Sequence, residues 1–323
     1  MNGEPDTASP SDVVIALITY NSGTVLPACL DALPASLDGI GSFRVVVADN
    51  ASSDDTEAVV EGRGAAVDAE FVQLGANRGY SAGINAVAAH AGPSGALLVI
   101  NPDIRLAAGA VARLLDGLQA EGVGITVPRT LDADGRLDPS LAHEPSIRRA
   151  LADAVLGGRL AGRFPALGEF DRRPSAYETP SRADWANGAA LLISERCREV
   201  VGPWDESFFL YAEEIDYCLR ARDAGFATKL VPDAVAVHLR GKGEQSPELR
   251  PLQTYNKWRL YRRRHGRALG VAYRGALALH ELLRIPRNPA HRASLKTLAL
   301  PGHPPVQLLS AGQVQPKNDC HES

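Results

Sequence analysis

Three carboxylates crowd one expected helix start within the stretch from Trp204 to Gly225. Glu213, Glu214 and Asp216 follow directly on the apolar run Phe208-Phe209-Leu210-Tyr211-Ala212. A carboxylate set against apolar walls holds its proton more tightly, which suits a general base working near neutral pH. Glu214 is the candidate base, Glu213 its alternate, and Asp216 a group that orients base or acceptor. The plain alternative is that acids at a helix start gain only from its dipole. A second feature is Asn101-Pro102-Asp103, which closes the apolar run Ala96–Ile100. Mg2+ and Mn2+ take oxygen ligands, often one or two carboxylates with phosphate and water completing the shell. Asp103 is therefore a candidate metal ligand, its alternative being a capping or solvated loop residue. His238 ends another apolar stretch and precedes Arg240-Gly241-Lys242-Gly243, so a diphosphate or metal contact competes with a structural role there.

A further polar set suits a nucleotide. Asp49-Asn50 ends the run Phe43–Ala48, where a carboxylate can accept hydrogen bonds from a ribose hydroxyl or a base N–H. Thr19-Tyr20-Asn21 ends the run Val13–Ile18. Asn77-Arg78-Gly79 opens a stretch continuing through Gly83 and Asn85, in which Gly79 and Gly83 permit close backbone approach and Arg78 can pair with phosphate. The chain has neither Gly-x-Gly-x-x-Gly here nor a Gly-Lys-Ser/Thr loop, which excludes the dinucleotide fingerprint and the P-loop.

The elements that must hold these groups alternate. Strands are expected at 13–18, 43–48, 71–74, 96–100 and 123–127, with helices at 25–33, through 62, at 80–91 and at 107–120. Continuous apolar strands alternating with helices imply an α/β fold with a parallel sheet covered on both faces. Ligands then bind at the carboxyl ends of the strands, where the polar clusters lie. Residues 130–182 are irregular and rich in Arg, Gly and Pro, and are expected to be a variable insertion in a domain spanning 12–240. Later elements are expected near 189–193, 194–201, 212–224, 227–231 and 234–238. A basic helical extension over 241–300, as helices at 251–270 and 271–285, and a flexible tail over 301–323 complete the chain, and residues 1–11 are expected to be disordered.

Composition bounds the rest. The 323 residues carry a net charge of -4, distributed unevenly: from Arg240 onward there are 15 Lys and Arg against 5 Asp and Glu, leaving 19 against 33 before it. The four cysteines form no Cys-x-x-Cys pair, pointing to a reduced intracellular protein. The N-terminus lacks a signal-peptide order, and no run of about 18 apolar residues predicts a membrane span. A cytoplasmic protein is expected. Lys257–Arg267 (KWRLYRRRHGR) would serve either as a peripheral contact with an anionic membrane at its inner face, holding a phosphate-bearing acceptor, or as a solvated helical face. No nucleic-acid motif accompanies it.

Taken in order, five segments resemble the family 2 glycosyltransferases, especially their rhamnosyltransferase-like branch: ITYNSG, VVVADNASSDDT, NRGYSAGIN, INPDIRL and WANGAALLISERCREVVGPWDESFFLYAEEIDYCLRARDAG. Each is weak alone; five in order over residues 13–240 are specific. The resemblance implies a GT-A fold, a Rossmann-like nucleotide-binding half, a dTDP- or UDP-sugar donor, Mg2+ or Mn2+, and inversion at the anomeric carbon. It places Asp49 on the nucleoside, Asp103 on the metal, Trp185, Asn187 and Gly188 on the acceptor side, and Glu214 as base. The acceptor it implies is a glycan, lipid-linked or small-molecule hydroxyl. Two positions depart from the pattern: Asn101 stands where Asp is common, and Glu214 where many members carry Asp. A nucleotide-sugar-binding protein without catalysis is the rival, opposed by the presence of both Asp103 and Glu214.

Overall fold

The computed structural model describes residues 13–91, 95–239, 248–286, 288 and 290–299. The expectations for residues 1–11, for Arg240-Gly241-Lys242-Gly243 and for the tail over 301–323 lie outside them. The elements run β1 (Val13–Thr19), α1 (Leu26–Ser36), β2 (Phe43–Asp49), α2 (Thr56–Arg63), β3 (Glu70–Gln73), α3 (Tyr80–Ala91), β4 (Ala96–Ile100), β5 (Ile104–Leu106), α4 (Ala110–Leu118) and β6 (Val123–Asp132). They continue with β7 (Leu141–Ala142), α5 (Ile147–Leu156), α6 (Gly158–Ala161), β8 (Arg182–Ala183), β9 (Trp185–Ala186), β10 (Ala190–Ile193), α7 (Glu195–Val201), α8 (Glu213–Asp223), β11 (Ala227–His238), α9 (Arg250–Arg284) and α10 (His291–Ala299).

The main sheet has the order β3-β2-β1-β4-β10-β6-β11-β5, with β8 pairing β11. Its β3-β2-β1-β4 half is parallel throughout. Beyond β4 the expected parallel pattern gives way: β10 runs antiparallel to both β4 and β6, and β5 antiparallel to β11. An apolar run reports burial on both faces but not direction, so the sequence could not distinguish these strands. Likewise β5 is only three residues long, too short for any periodicity, and the two expected strands at 227–231 and 234–238 are one, with a register shift between Val231 and Val235.

Strand β1 shows why both faces are filled. Alternate residues point to opposite sides of a strand. Val14, Ala16 and Ile18 enter a core shared with Ile84 and Val87 of α3 and Ile215 and Tyr217 of α8. Val13, Ile15 and Leu17 enter the other, shared with Leu26, Leu30 and Leu33 of α1 and Val111 and Leu114 of α4. After β3 the chain crosses back over β1 to form β4, so the strand order reverses between β2 and β4. Such a reversal leaves a crevice at the carboxyl ends of the strands. A third, smaller core joins Ala150 of α5 to Trp258, Tyr261, Tyr273 and Leu277 of α9 and Leu298 of α10. The two expected C-terminal helices are both present within α9 and meet at Gly266 rather than at 270, its φ of 86° lying in the region glycine adopts at least cost.

The charge asymmetry has a structural cause. Arg263 pairs with Asp205 at 2.6 Å; Arg264 pairs with Glu144 at 3.1 Å and Asp223 at 2.8 Å. Arg259 and Arg263 lie over the Phe208 ring, and Arg262 over Trp258. The basic helix is thus fastened to the acidic body by its own cations.

Candidate active site

The end of β1 and the end of β2 are tied together by Asp49. This fully buried carboxylate accepts from Thr19 Oγ1 at 2.7 Å, the Ser52 amide at 2.7 Å, Ser52 Oγ at 2.5 Å and Gln73 Nε2 at 3.1 Å. Several donors to one carboxylate satisfy its charge and fix the loop around it. Asn21, at a positive φ of 49°, accepts from the Ser53 amide at 2.8 Å, joining the same two loops. Tyr20 is half-buried between them. Asn50 does the equivalent for the third loop: its Oδ1 accepts from the Arg78 amide at 3.0 Å, and its Nδ2 reaches the Gly79 carbonyl at 3.5 Å. Asn77 accepts from the Gly79 amide at 3.2 Å. Three strand-end loops therefore form one hydrogen-bonded rim. Arg78 itself is exposed and pairs with Glu206 at 3.2 Å.

Gly79 is required by geometry. Its φ is 89°, and a Cβ there would stand 2.2 Å from the Phe209 carbonyl oxygen. That carbonyl accepts from the Tyr80 amide at 2.9 Å, which clamps the loop against the segment leading into α8. Gly83 has a different role from a ligand contact: a Cβ there would meet Ile18 Cγ2 at 2.7 Å, so it permits α3 to lie close on β1. Asn85 also faces elsewhere, donating to the Trp204 carbonyl at 2.9 Å and Glu206 at 3.0 Å.

Tyr80, which no residue pattern singled out, lies between Asn101 and the turn at Gly188. Its hydroxyl donates to Asn101 Oδ1 at 2.7 Å and lies 3.4 Å from the Gly188 carbonyl oxygen. Burial, then the charges of Glu213, Glu214 and Asp103, push its phenol well above its ordinary range, so all three carboxylates act on one side chain. Gly188 in turn lies against Glu214: a Cβ there would stand 3.1 Å from Glu214 Cβ. Asn187 accepts from the Ala189 amide at 3.0 Å and shapes the same turn.

At the start of α8, Glu213 is buried and Glu214 half-buried. Each has an Oε2 with no hydrogen-bond partner. Desolvation raises the Glu214 carboxyl to about 7, backbone amides at Glu214 and Ile215 and the charge of Lys257 opposing it. Desolvation, reinforced by the Glu214 charge, holds Glu213 well above its ordinary range. Burial thus favours the protonated form of both carboxyls, and their repulsion disfavours a doubly ionised pair. Two successive left-handed residues, Tyr211 (φ 68°) and Ala212 (φ 72°), turn the chain into α8. Such backbone costs energy and persists only where the surroundings impose it. Here Asn256 of α9 donates to the Leu210 and Tyr211 carbonyls at 2.9 and 3.2 Å. Lys257, one residue on, pairs with Glu169 at 2.8 Å. Burial opposes its charge, but Glu169, Asp153 and Glu214 hold it above its ordinary range.

Asp103 faces His238 across the β5–β11 pairing, Oδ2 to Nε2 at 3.4 Å. The other ring nitrogen meets Asp138 at 3.2 Å. Although burial disfavours the imidazolium, the two carboxylates raise His238 to about 9. Asp138 escaped sequence reasoning because it lies in the irregular insertion, brought here by its amide bond to the Thr130 carbonyl at 2.9 Å. Among the described residues no three His, Cys, Asp or Glu side chains are arranged as a metal cage. Asp103 and His238 fit a partial ligand set, since Mg2+ and Mn2+ need only one or two protein ligands when phosphate and water fill the shell. The His238 proton would have to leave first.

Two further expected residues are drawn away from this centre. Trp185 is buried, donating to the His143 carbonyl at 2.8 Å and packing edge-on against Phe170. Asp216 accepts from Arg220 at 2.7 Å, and Arg220 also bonds the Val201 and Pro203 carbonyls, bracing the loop before α8.

The model of Glycosyl transferase family 2 matches residues 14–173. N-acetylglucosaminyl-diphospho-decaprenol L-rhamnosyltransferase of Mycobacterium tuberculosis is 30% identical over 235 residues, covering 69% of this chain and 75% of the relative. This chain belongs to glycosyl transferase family 2. The glycosyltransferase is also 28% identical over 215 residues to a low-salt glycan biosynthesis hexosyltransferase of Haloferax volcanii, covering 65% of this chain and 62% of the relative. A mannosyltransferase from Pyrobaculum calidifontis, solved in complex with GDP-Man and Mn2+, matches its fold with a TM-score of 0.55 at 18% identity, over 96% of this chain and 81% of that one. The architecture is accordingly of the GT-A type, and the protein is an enzyme that transfers sugar from a nucleotide-sugar donor. No helix among the described residues is long and apolar enough to cross a membrane.

Proposed function

We propose that this glycosyltransferase moves a deoxysugar of the rhamnose type from a nucleoside-diphosphate donor, dTDP-linked in preference to UDP-linked, to a hydroxyl of a lipid-linked acceptor, with inversion. The observation that carries the mechanism is the Glu214 carboxyl, raised to about 7 with one oxygen free of hydrogen bonds, connected through Gly188 and Tyr80 to Asn101 and the donor-side loops. A base with that proton affinity is half ionised near neutral pH and strong enough to take an alcohol proton as the bond forms. The acceptor oxygen loses its proton to Glu214 and attacks the anomeric carbon from the face opposite the diphosphate. The bond from that carbon to the diphosphate oxygen breaks, and its electron pair leaves with the diphosphate.

On this reading the rim formed by Thr19, Asn21, Asp49, Asn50 and Asn77 receives the nucleoside, and Asn187 and Gly188 border the acceptor. Asp49 acts as the keystone of that rim. Asp103 and His238 would hold a divalent cation, which when bound would neutralise charge on the leaving diphosphate. Support for a lipid-linked acceptor and a rhamnose donor comes from the activity for which the mycobacterial relative is named. The test is direct: purified enzyme is incubated with dTDP-rhamnose or UDP-sugars and a diphospholipid-linked N-acetylglucosamine, with Mn2+, Mg2+ or chelator. Mass spectrometry should find a deoxyhexose added only with dTDP-rhamnose and metal. Transfer from a UDP-sugar alone would overturn the donor assignment, and full activity in chelator would overturn the metal.

A further inference from the structure

Residues 147–164 present an apolar surface that no other described part of the chain covers. Helix α5 turns Ile147, Ala150 and Ala154 inward. Its outer side leaves Leu151, Val155 and Leu156 exposed, Val155 to 70%. Leu151 and Val155 are four residues apart on one helical face. Beyond α5, Leu160 and Phe164 are also exposed, Phe164 to 51%. The end of α9 joins this surface, because Arg284 donates to the Asp153 and Ala154 carbonyls at 2.6 and 3.2 Å, and its neighbours Leu282 and Leu283 are exposed as well. Single exposed apolar residues need no explanation, but a clustered set marks an interaction surface.

The charges around it are of one sign. Arg148, Arg159 and Arg163 are exposed and have no hydrogen-bond or ion-pair partner among the described residues. Asp153 is the one acid between 147 and 164, and it is paired with His280 at 3.1 Å. The contrast with Lys257–Arg267 is informative, since Lys257, Arg263 and Arg264 there are held by acids of the body. The three arginines of the insertion are not held in this way.

We propose that α5, α6 and the turn to Phe164, with the end of α9, dock the enzyme on an anionic lipid bilayer. Unpaired arginines match anionic headgroups, and leucine, valine and phenylalanine side chains suit the boundary between headgroups and acyl chains. A chain of net charge -4 has no general attraction to such a surface, so contact must be local. The same segment runs on to Glu169, which pairs with Lys257 next to the base. On the proposed lipid-linked acceptor reading, docking here delivers the acceptor to Glu214; the docking itself does not depend on that reading.

The test is co-sedimentation of the full chain with phosphatidylcholine vesicles with and without phosphatidylglycerol. Binding should require phosphatidylglycerol and weaken with salt. Replacing Arg148, Arg159 and Arg163 together by Gln should lower the partition coefficient about a hundredfold, taking each cation near an anionic surface as worth roughly fivefold. Val155→Ser with Phe164→Ser should also lower it, whereas Arg262→Gln should not. Melting temperature and transfer to a water-soluble short-chain acceptor should be unchanged in every variant, which separates failure of docking from failure of the catalytic reading. Equal vesicle binding by wild type and variants would overturn the proposal. So would light scattering that finds a dimer dissolved by Val155→Ser and Phe164→Ser, because the face would then be a subunit interface.

Discussion

Replacing Glu214, the proposed base, should stabilise the enzyme. Burial raises the Glu214 carboxyl from an ordinary value near 4.5 to about 7. The folded-state value lies above the unfolded one, so the folded chain resists losing this proton. Below pH 4.5 both states hold it and no cost arises. Between 4.5 and 7 the unfolded chain releases it first, and stability falls as pH rises; above 7 the cost is complete. At 1.36 kcal/mol per unit the shift from 4.5 to about 7 corresponds to about 3 kcal/mol, an upper figure because Glu214 is half-buried and solvent screens it. Glutamine has the same shape and no charge to desolvate. Glu214→Gln should therefore exceed wild type in stability at pH 8 by up to about 3 kcal/mol, or roughly 5–10 °C in Tm, and match it near pH 4. Such a trade between stability and function is common at active sites. Thermal unfolding of both proteins across that pH range measures it. A pH-independent difference, or a less stable variant at pH 8, would refute the reasoning.

Other expectations follow from named contacts. Gly79→Ala puts a Cβ 2.2 Å from a backbone oxygen at a left-handed φ, and should cost about 3 kcal/mol or more in denaturant unfolding. Lys257→Met removes a charge that lowers the Glu214 pKa, so the acid limb of kcat/KM should move to higher pH while the alkaline side changes little. Arg264→Ala breaks its pairs to Glu144 and Asp223 and should cost about 1.5–3 kcal/mol in urea unfolding, without altering donor affinity measured by calorimetry.

The rim of strand-end loops was legible in the sequence because each polar cluster terminates an apolar run, and a run of β-branched residues closed by polar ones marks a strand end. Thr19, Asn21, Asp49, Asn50 and Asn77 meet for that reason. Glu214 was legible because its apolar neighbours are adjacent in sequence. Residues that reach the site through tertiary contact were not. Asp138 arrives on an irregular loop, and Asn256 and Lys257 come from a distant basic helix, of whose cations Lys257, Arg263 and Arg264 pair with acids of the body. Trp185 and Asp216 sit within the recognisable segment, but their side chains turn toward His143 and Arg220. Proximity along the chain carries no information about side-chain direction. Strand direction in the second half of the sheet was hidden for a similar reason: β10 is buried on both faces whichever way it runs.

The assignment of Glu214, and not Glu213, as base is tested most directly by the transfer rate of Glu214→Gln set against Glu213→Gln at saturating donor and pH 7.5. Glu214→Gln should lose about 10²–10⁴-fold in kcat, the usual contribution of a general base, with the donor dissociation constant unchanged by calorimetry. Glu213→Gln should stay within a few-fold of wild type, since burial favours the uncharged form that glutamine mimics. Near-normal turnover by Glu214→Gln, or an equal loss in both variants, would contradict the account.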